Sequence, residues 1–341
     1  MIADEIVAAA CGVRYTAAVL RIERAGRAVF ERAYGHVDAE AGSQRVTVTT
    51  AFDLASLTKP FVASAALCAV AAGTLELDAP LVRIVPEWSG FPQAAITLRM
   101  LLAHTSGMQS GADYRTLFDR ELERFALECE LVASPGERVT YSDLGFIALG
   151  VVLARAYRGG LATVAMTALR ALRCEKTFFR VRERERAEIP ATECDPWRGR
   201  VRGRVHDEKA YLMNGVAGHA GLFATARDVA ALAEAYLAHA RGRKHELLSR
   251  TLAHEALAEH GRDDVLRRGF GWALKTSDRN SCGAAMSRAT FGHTGFTGTS
   301  VWADPACDLV VVLLTNAVYF GRHDLRDVRA AVCDAAVAEY A

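Results

Sequence analysis

Ser56 and Lys59 are the residues whose types and spacing first suggest chemistry. They lie in FDLASLTKP, Phe52 to Pro60, at the mouth of an apolar, alanine-rich run, VASAALCAVAAG, that ends at Gly73. Ala and Leu favour helix, and Gly73 supplies a C-terminal stop. Pro60 fits only in a first turn, so a helix is expected over Ser56–Gly73. Residues three apart share a helix face, which puts Ser56 and Lys59 within reach of each other. A serine hydroxyl attacks once a base takes its proton. A lysine can be that base only as a neutral amine. Burial and the positive end of the helix dipole both lower a lysine pKa, so a depressed Lys59 is expected. Free N–H groups of the first turn could also hold an oxyanion. Alone, S-x-x-K also describes an N-cap serine followed by a surface lysine. The chain has only five lysines, Lys59, Lys176, Lys209, Lys244 and Lys275.

Two further stretches add weight. VTYSDLGFIALG, Val139–Gly150, places Tyr141 at a loop-to-helix corner, with Asp143 expected as the N-cap. FGHTGFTGTSVW, Phe291–Trp302, places His293, Thr294 and Gly295 on a strand, with small residues where another backbone must come close. Serine with lysine, a tyrosine corner and a Gly-bearing edge strand supply a nucleophile, a base and an oxyanion platform.

These three motifs, in this order, resemble those of the penicillin-recognising serine hydrolases, the β-lactamase-related family. That family includes class C β-lactamases, DD-peptidases and esterases. ITLRMLLAHTSGM (Ile96–Met108) and GVAGHAGLFATARDVAALA (Gly215–Ala233) also read like family segments, so the resemblance runs from about Thr16 to Leu314. The stretch IPATECDPWRGRVRGRVHDEKAYLMNGVAGHAGLF is similar to the penicillin-binding-protein-4B-like subgroup. The resemblance implies that Ser56 is acylated, that Lys59 activates it and that Tyr141 is the general base partner. It puts Asp143 where the family has the asparagine of Tyr-x-Asn, and His293, Thr294 and Gly295 on the Lys-Thr-Gly strand. The oxyanion hole would use the N–H groups of Ser56 and Phe296. Two departures favour an esterase or amidase over efficient β-lactam hydrolysis. An ionised Asp143 only accepts hydrogen bonds, and could instead pair with Lys59. His293 is only partly charged at neutral pH, where the family's lysine is a permanent cation.

The elements around these motifs fit an α+β fold. Tyr15–Glu23 and Arg27–Ala33 read as a hairpin about Ala25-Gly26, and Thr299–Ala303 and Leu309–Thr315 as strands flanking DPACD. Helices are expected over Ser56–Gly73, Leu98–Ala103, Asp113–Cys129, Asp143–Tyr157, Leu161–Leu172, Arg227–Arg241 and Asp324–Tyr340. An antiparallel sheet from both termini, residues 1–60 and 225–341, would carry an inserted, mainly helical domain over 61–224. Nothing local places the two terminal hairpins in one sheet. The arginine-crowded segment Arg173–Arg204 reads as a solvated insert or as a cationic wall for carboxylate substrates.

Composition limits the alternatives. With 341 residues, 51% hydrophobic and 24% charged, the chain suits a globular enzyme. A net charge of +1 argues for neither nucleic acid nor a membrane surface. IVAAAC, Ile6–Cys11, loosely resembles a lipoprotein cleavage box, but Asp4 and Glu5 stand where positive charge belongs, and a cytoplasmic location is expected. The eight cysteines show no C-x-x-C pair, so reduced thiols are expected. No cofactor or metal is expected. A weak metal candidate is VHDE, whose His206, Asp207 and Glu208 cannot all point one way along a strand. His104 and His219 are expected to be structural, and Trp272 and Trp302 to pack. The expected activity is ester or amide hydrolysis through an acyl-enzyme on a small-molecule or peptide substrate. The rival readings are a D-Ala-D-Ala carboxypeptidase or muropeptide-directed enzyme, and an acylatable binding protein without turnover. The acyl specificity depends on loops such as Ser110–Asp119, whose path the sequence does not give.

Overall fold

The structure is a computed structural model that describes every residue except Ala112, Asp264, Val265, Asp278 and Arg279. Ala112 falls in the loop Ser110–Asp119, so that part of the specificity loop lies outside the described residues.

The chain opens with α1 (Ile2–Ala10), β1 (Ala17–Arg24), β2 (Arg27–Gly35) and the short β3 (Phe52–Asp53). Helices follow: α2 (Thr58–Ala71), α3 (Leu98–Leu102), α4 (Leu122–Glu128), α5 (Asp143–Ala156) and α6 (Leu161–Ala168). Next come β4 (Cys194–Asp195), β5 (Gly199–Arg200), α7 (Glu208–Leu212), β6 (Phe223–Ala224), α8 (Ala226–Ala240) and α9 (Arg250–Leu257). The chain closes with β7 (Gly261–Arg262), β8 (Arg267–Arg268), β9 (Ala273–Leu274), β10 (Phe291–Thr294), β11 (Ser300–Asp304), β12 (Leu309–Thr315) and α10 (Arg326–Tyr340).

Both terminal hairpins join one antiparallel sheet in the order β2-β1-β12-β11-β10-β9-β8-β7 among the described residues. Leu20 pairs with Leu313 and Ile22 with Val311, so the first and last strands are neighbours. β12, LVVVLLT, is buried along its whole length because helices cover both faces of the sheet. Strand alternation divides its side chains. Val310, Val312 and Leu314 join Ala17 and Val19 in a core with α2, α5 and α8. Leu309, Val311 and Leu313 join Ala18, Leu20 and Ile22 under α1 and α10. The N-terminal stretch read above only for a cleavage box is thus a helix that buries Ala3 and Val7.

Two expected helices differ. α4 occupies only the end of Asp113–Cys129, after a 3₁₀ turn at Tyr114–Thr116, because Ser110–Glu121 has no apolar stripe to bury. α5 is capped by Ser142, not Asp143: the Ser142 Oγ accepts the Gly145 N–H at 2.8 Å, and Asp143 is the first helical residue. The Asp143 carboxylate is engaged elsewhere. Among the described residues no single helix is long and apolar enough to cross a membrane.

Candidate active site

Ser56 sits on a 3₁₀ turn, Ala55–Leu57, one step before α2. The preceding Ala55 has φ 46°, a left-handed conformation that costs a non-glycine residue about 1–2 kcal/mol. The buried Asp53 holds this turn. Its carboxylate accepts the Ala55 N–H at 2.9 Å and the His206 N–H at 2.6 Å. Thr297 Oγ1 donates to the Asp53 carbonyl at 2.7 Å and Thr299 Oγ1 to the Leu54 carbonyl at 3.1 Å. Gly295 completes the clamp, since a Cβ there would lie 2.2 Å from the Leu54 carbonyl oxygen. The nucleophile turn and the loop after β10 are therefore locked together. Neither the Ser56 nor the Phe296 N–H donates to a backbone carbonyl among the described residues.

Lys59, in the first turn of α2, is fully buried. Its Nζ donates to Ser56 Oγ at 3.0 Å, to Asp143 Oδ1 at 2.8 Å and to the His219 carbonyl at 3.3 Å. Three acceptors for three protons describe an ammonium. Burial alone pushes Lys59 toward the neutral amine, but Asp143 and Tyr141 outweigh it and raise its pKa above the ordinary lysine value. The expected depressed lysine is thus corrected. The burial is present, but so is a carboxylate supplied from 84 residues away.

That carboxylate has a second cation. Lys209 Nζ lies 3.2 Å from Asp143 Oδ2 and 3.8 Å from Asp207 Oδ2. His219 Nε2 bonds Asp207 Oδ1 at 2.8 Å, and the His219 carbonyl returns to Lys59. Burial favours the neutral acid at Asp143, yet Lys59, His219 and Lys209 hold it below the usual carboxylate range. Asp207 is likewise held well below its usual range, against its burial, by His219 and Lys209. Ligand atoms of Asp143, Asp207 and His219 lie within 4.8 Å of one another, close enough for a metal. Their oxygens already serve two ammonium groups and an imidazole, so the cluster is a salt-bridge centre by its chemistry. The VHDE side chains diverge. His206 bonds Glu193 at 2.9 Å, Asp207 caps α7 through the Ala210 N–H at 2.8 Å, and Glu208 takes Arg322 at 2.5 Å.

Tyr141 stands at the corner before α5. It stacks on His104 at 4.5 Å between ring centres, and His104 Nδ1 accepts the Ser142 N–H at 3.0 Å. Burial, with Arg268, Lys59 and His293 nearby, keeps His104 neutral as a hydrogen-bonded support for the corner. Lys59 Nζ and the Arg268 guanidinium lie 4.8 Å and 5.1 Å from the centre of the Tyr141 ring. On β10, His293 bonds the Thr294 carbonyl through Nδ1 at 2.8 Å. Burial, with Lys59 and Arg268 nearby, lowers its pKa to about 3. His293 is therefore neutral at neutral pH rather than partly charged.

Ser56, Tyr141, His293, Thr294, Gly295 and Phe296 share a cleft of about 570 Å³. Among the described residues its arginines are Arg268, Arg322, Arg326 and Arg329, and no residue of Arg173–Arg204 lines it. The insert is not the cationic wall, because several of its arginines serve local acceptors. Arg198 bonds Asp195 and the His206 carbonyl, and Arg200 the Thr192 carbonyl. Phe296 is 56% exposed, with its ring stacked 5.8 Å from His206. Trp272 packs against Tyr236 and Phe291, as expected, while Trp302 is buried at the cleft floor. Sequence reasoning missed Lys209, Arg268 and Arg329. For Lys209 a signal existed: it directly follows the VHDE stretch in a lysine-poor chain.

The family model for Beta-lactamase matches residues 7–335. The chain belongs to the β-lactamase family. Among curated relatives it is 32% identical to Esterase EstB of Burkholderia gladioli, over 90% of this chain and 88% of that one. It is 28% identical to N-acetylmuramyl-L-alanine amidase of Bacillus subtilis, over 92% of this chain and 80% of the relative. The structure described as EstCE1, a hydrolase with promiscuous acyltransferase activity, superposes with a TM-score of 0.79 at 23% identity, covering 97% of both chains. At that identity the likeness is one of fold.

Proposed function

We propose that the chain is a serine hydrolase that cleaves esters through an acyl-enzyme on Ser56. The observation that carries this reading is the buried Lys59 ammonium 3.0 Å from Ser56 Oγ. A cation that donates to Oγ leaves the hydroxyl proton for another base, and Tyr141 takes that part. Negative charge on the Tyr141 oxygen would be met by Lys59 and Arg268. In the first step the Ser56 Oγ–acyl carbon bond forms, the carbonyl π pair moves onto its oxygen, and the serine proton passes to Tyr141 acting as its phenolate. The N–H groups of Ser56 and Phe296 hold the oxyanion. The bond to the leaving alkoxide then breaks, and Tyr141 returns the proton to it. Water repeats the sequence and frees the acid. Thr294 and Gly295 place the Phe296 N–H, and Asp143 holds Lys59 in register.

An ester is favoured because His293 offers no cation where a β-lactam or D-Ala carboxylate would sit. A second reading, a D-Ala-D-Ala carboxypeptidase or muropeptide-directed enzyme, has one observation in its favour. Buried Arg329 lines the cleft with its Nε unpaired among the described residues, while its Nη2 donates to the Gly295 and Thr299 carbonyls at 2.9 and 3.1 Å. Comparing kcat/KM for p-nitrophenyl butyrate and for a D-Ala-D-Ala tripeptide ranks the two. The ester reading expects the ester to lead by about 100-fold or more. A faster peptide would overturn it in favour of the second.

A further inference from the structure

Lys209 does not touch the nucleophile; its shortest link to Lys59 and Ser56 runs through Asp143. It belongs to a closed ring: Lys59 to Asp143, Asp143 to Lys209, Lys209 to Asp207, Asp207 to His219, and the His219 carbonyl back to Lys59. The Lys209 side chain is only 13% exposed, and its Nζ lies under Gly111, where a Cβ would approach it to 3.6 Å. A long cation held this firmly against a carboxylate already engaged by Lys59 acts on Lys59.

We propose that Lys209 is a positioning residue for the reaction at Ser56: its ammonium balances Asp143, and so sets where Lys59 points and how much positive charge the reacting centre carries. This rests on the serine-hydrolase reading above. With Lys209 neutral, Asp143 would have one ammonium partner and would draw Lys59 away from Ser56 Oγ. Removing a cation from a buried centre also raises the proton affinity of the other groups in it. Those groups are Lys59 on α2, Tyr141 at the corner, Asp143 on α5, Asp207 at the start of α7, and His219. His104, His293 and Arg268 face the same centre and are common to every variant. Both limbs of the pH profile for Ser56 reactivity should therefore move to higher pH. Removing the Asp143 charge should move them the opposite way, and removing both should return them, because the net charge is unchanged.

The test is the rate at which an alkyl fluorophosphonate adds to Ser56, read by intact-protein mass from about pH 5 to about pH 10. Lys209→Met should raise both limbs by about one unit, which is about tenfold slower reaction at a fixed pH on the acid limb. Lys209→Arg should keep both limbs within about 0.3 unit of the wild type. If Lys209→Met does not fold, Asp143→Asn and the double variant Asp143→Asn/Lys209→Met decide. The single should sit lower and the double near the wild type. Unmoved limbs in Lys209→Met with only a lower rate, or Lys209→Arg behaving like Lys209→Met, would overturn the proposal. Adducts with unmoved limbs remove this inference alone, whereas no adduct on wild-type Ser56 removes the hydrolase reading and the inference with it.

Discussion

The helical side of the site carries its polar groups behind the cleft lining as paired full charges, Lys59 and Lys209 on the two oxygens of Asp143. The strand wall, β10 and the loop after it, carries a neutral His293 and backbone N–H groups. On the helical side, function depends on side-chain charge, and removing one member leaves its partner buried and unpaired. On the strand wall it depends on backbone path, held by Gly295 and by Thr297 and Thr299 against the nucleophile turn. Charge substitutions should therefore act mainly on one side and added volume on the other.

The largest effect is expected from Lys59→Met, which keeps the side-chain bulk and removes the cation. Ester kcat should fall by about 10³-fold or more. A variant that folds and retains a tenth of wild-type turnover would break the assignment of charge to this side. Gly295→Ala should come next. Its Cβ would meet Thr299 Oγ1 at 2.1 Å and the Leu54 carbonyl oxygen at 2.2 Å, shifting the Phe296 N–H. A fall of about 10²-fold in kcat with little change in KM is expected, the size of losing one oxyanion donor. An unchanged kcat would show that the strand wall tolerates volume.

The smallest effect on rate is expected from His293→Gln, about threefold or less at pH 7, because no charge is lost. Its signature is in stability. The folded-state pKa, lowered from 6.5 to about 3, makes His293 stabilising above pH 6.5, with that contribution lost as pH falls toward 3 while the unfolded chain takes up the proton. Urea unfolding at several pH values should show a shallower acid-side loss in His293→Gln than in the wild type. Identical slopes would mean that His293 is protonated in the folded protein.

What was legible in the sequence follows the same division. Ser56 and Lys59 could be placed together because i,i+3 geometry is local, and β12 could be read from seven consecutive apolar or β-branched residues. The Tyr141 corner and the β10 motif were legible as motifs. The protonation of Lys59 was not, since burial is visible locally while the compensating carboxylate arrives on another helix. Lys209 enters on the first turn of α7 and His219 on the loop after it, and both placements depend on Asp207 capping α7, a choice that one short polar stretch does not announce. β7, β8 and β9 are two-residue strands with no alternation to read, and β8 carries Arg268 into the cleft. The arginine-rich insert drew attention by composition, but several of its guanidinium groups are held by local carbonyls and carboxylates, so composition misplaced the positive wall.

The most direct test of the account is the intact mass of wild type and Ser56→Ala after brief incubation with a p-nitrophenyl ester and, separately, with a penicillin. The account predicts an acyl adduct from the ester on wild type only, with steady p-nitrophenol release and slower acylation by the penicillin. Equal p-nitrophenol turnover by Ser56→Ala, or an adduct on that variant, would contradict it.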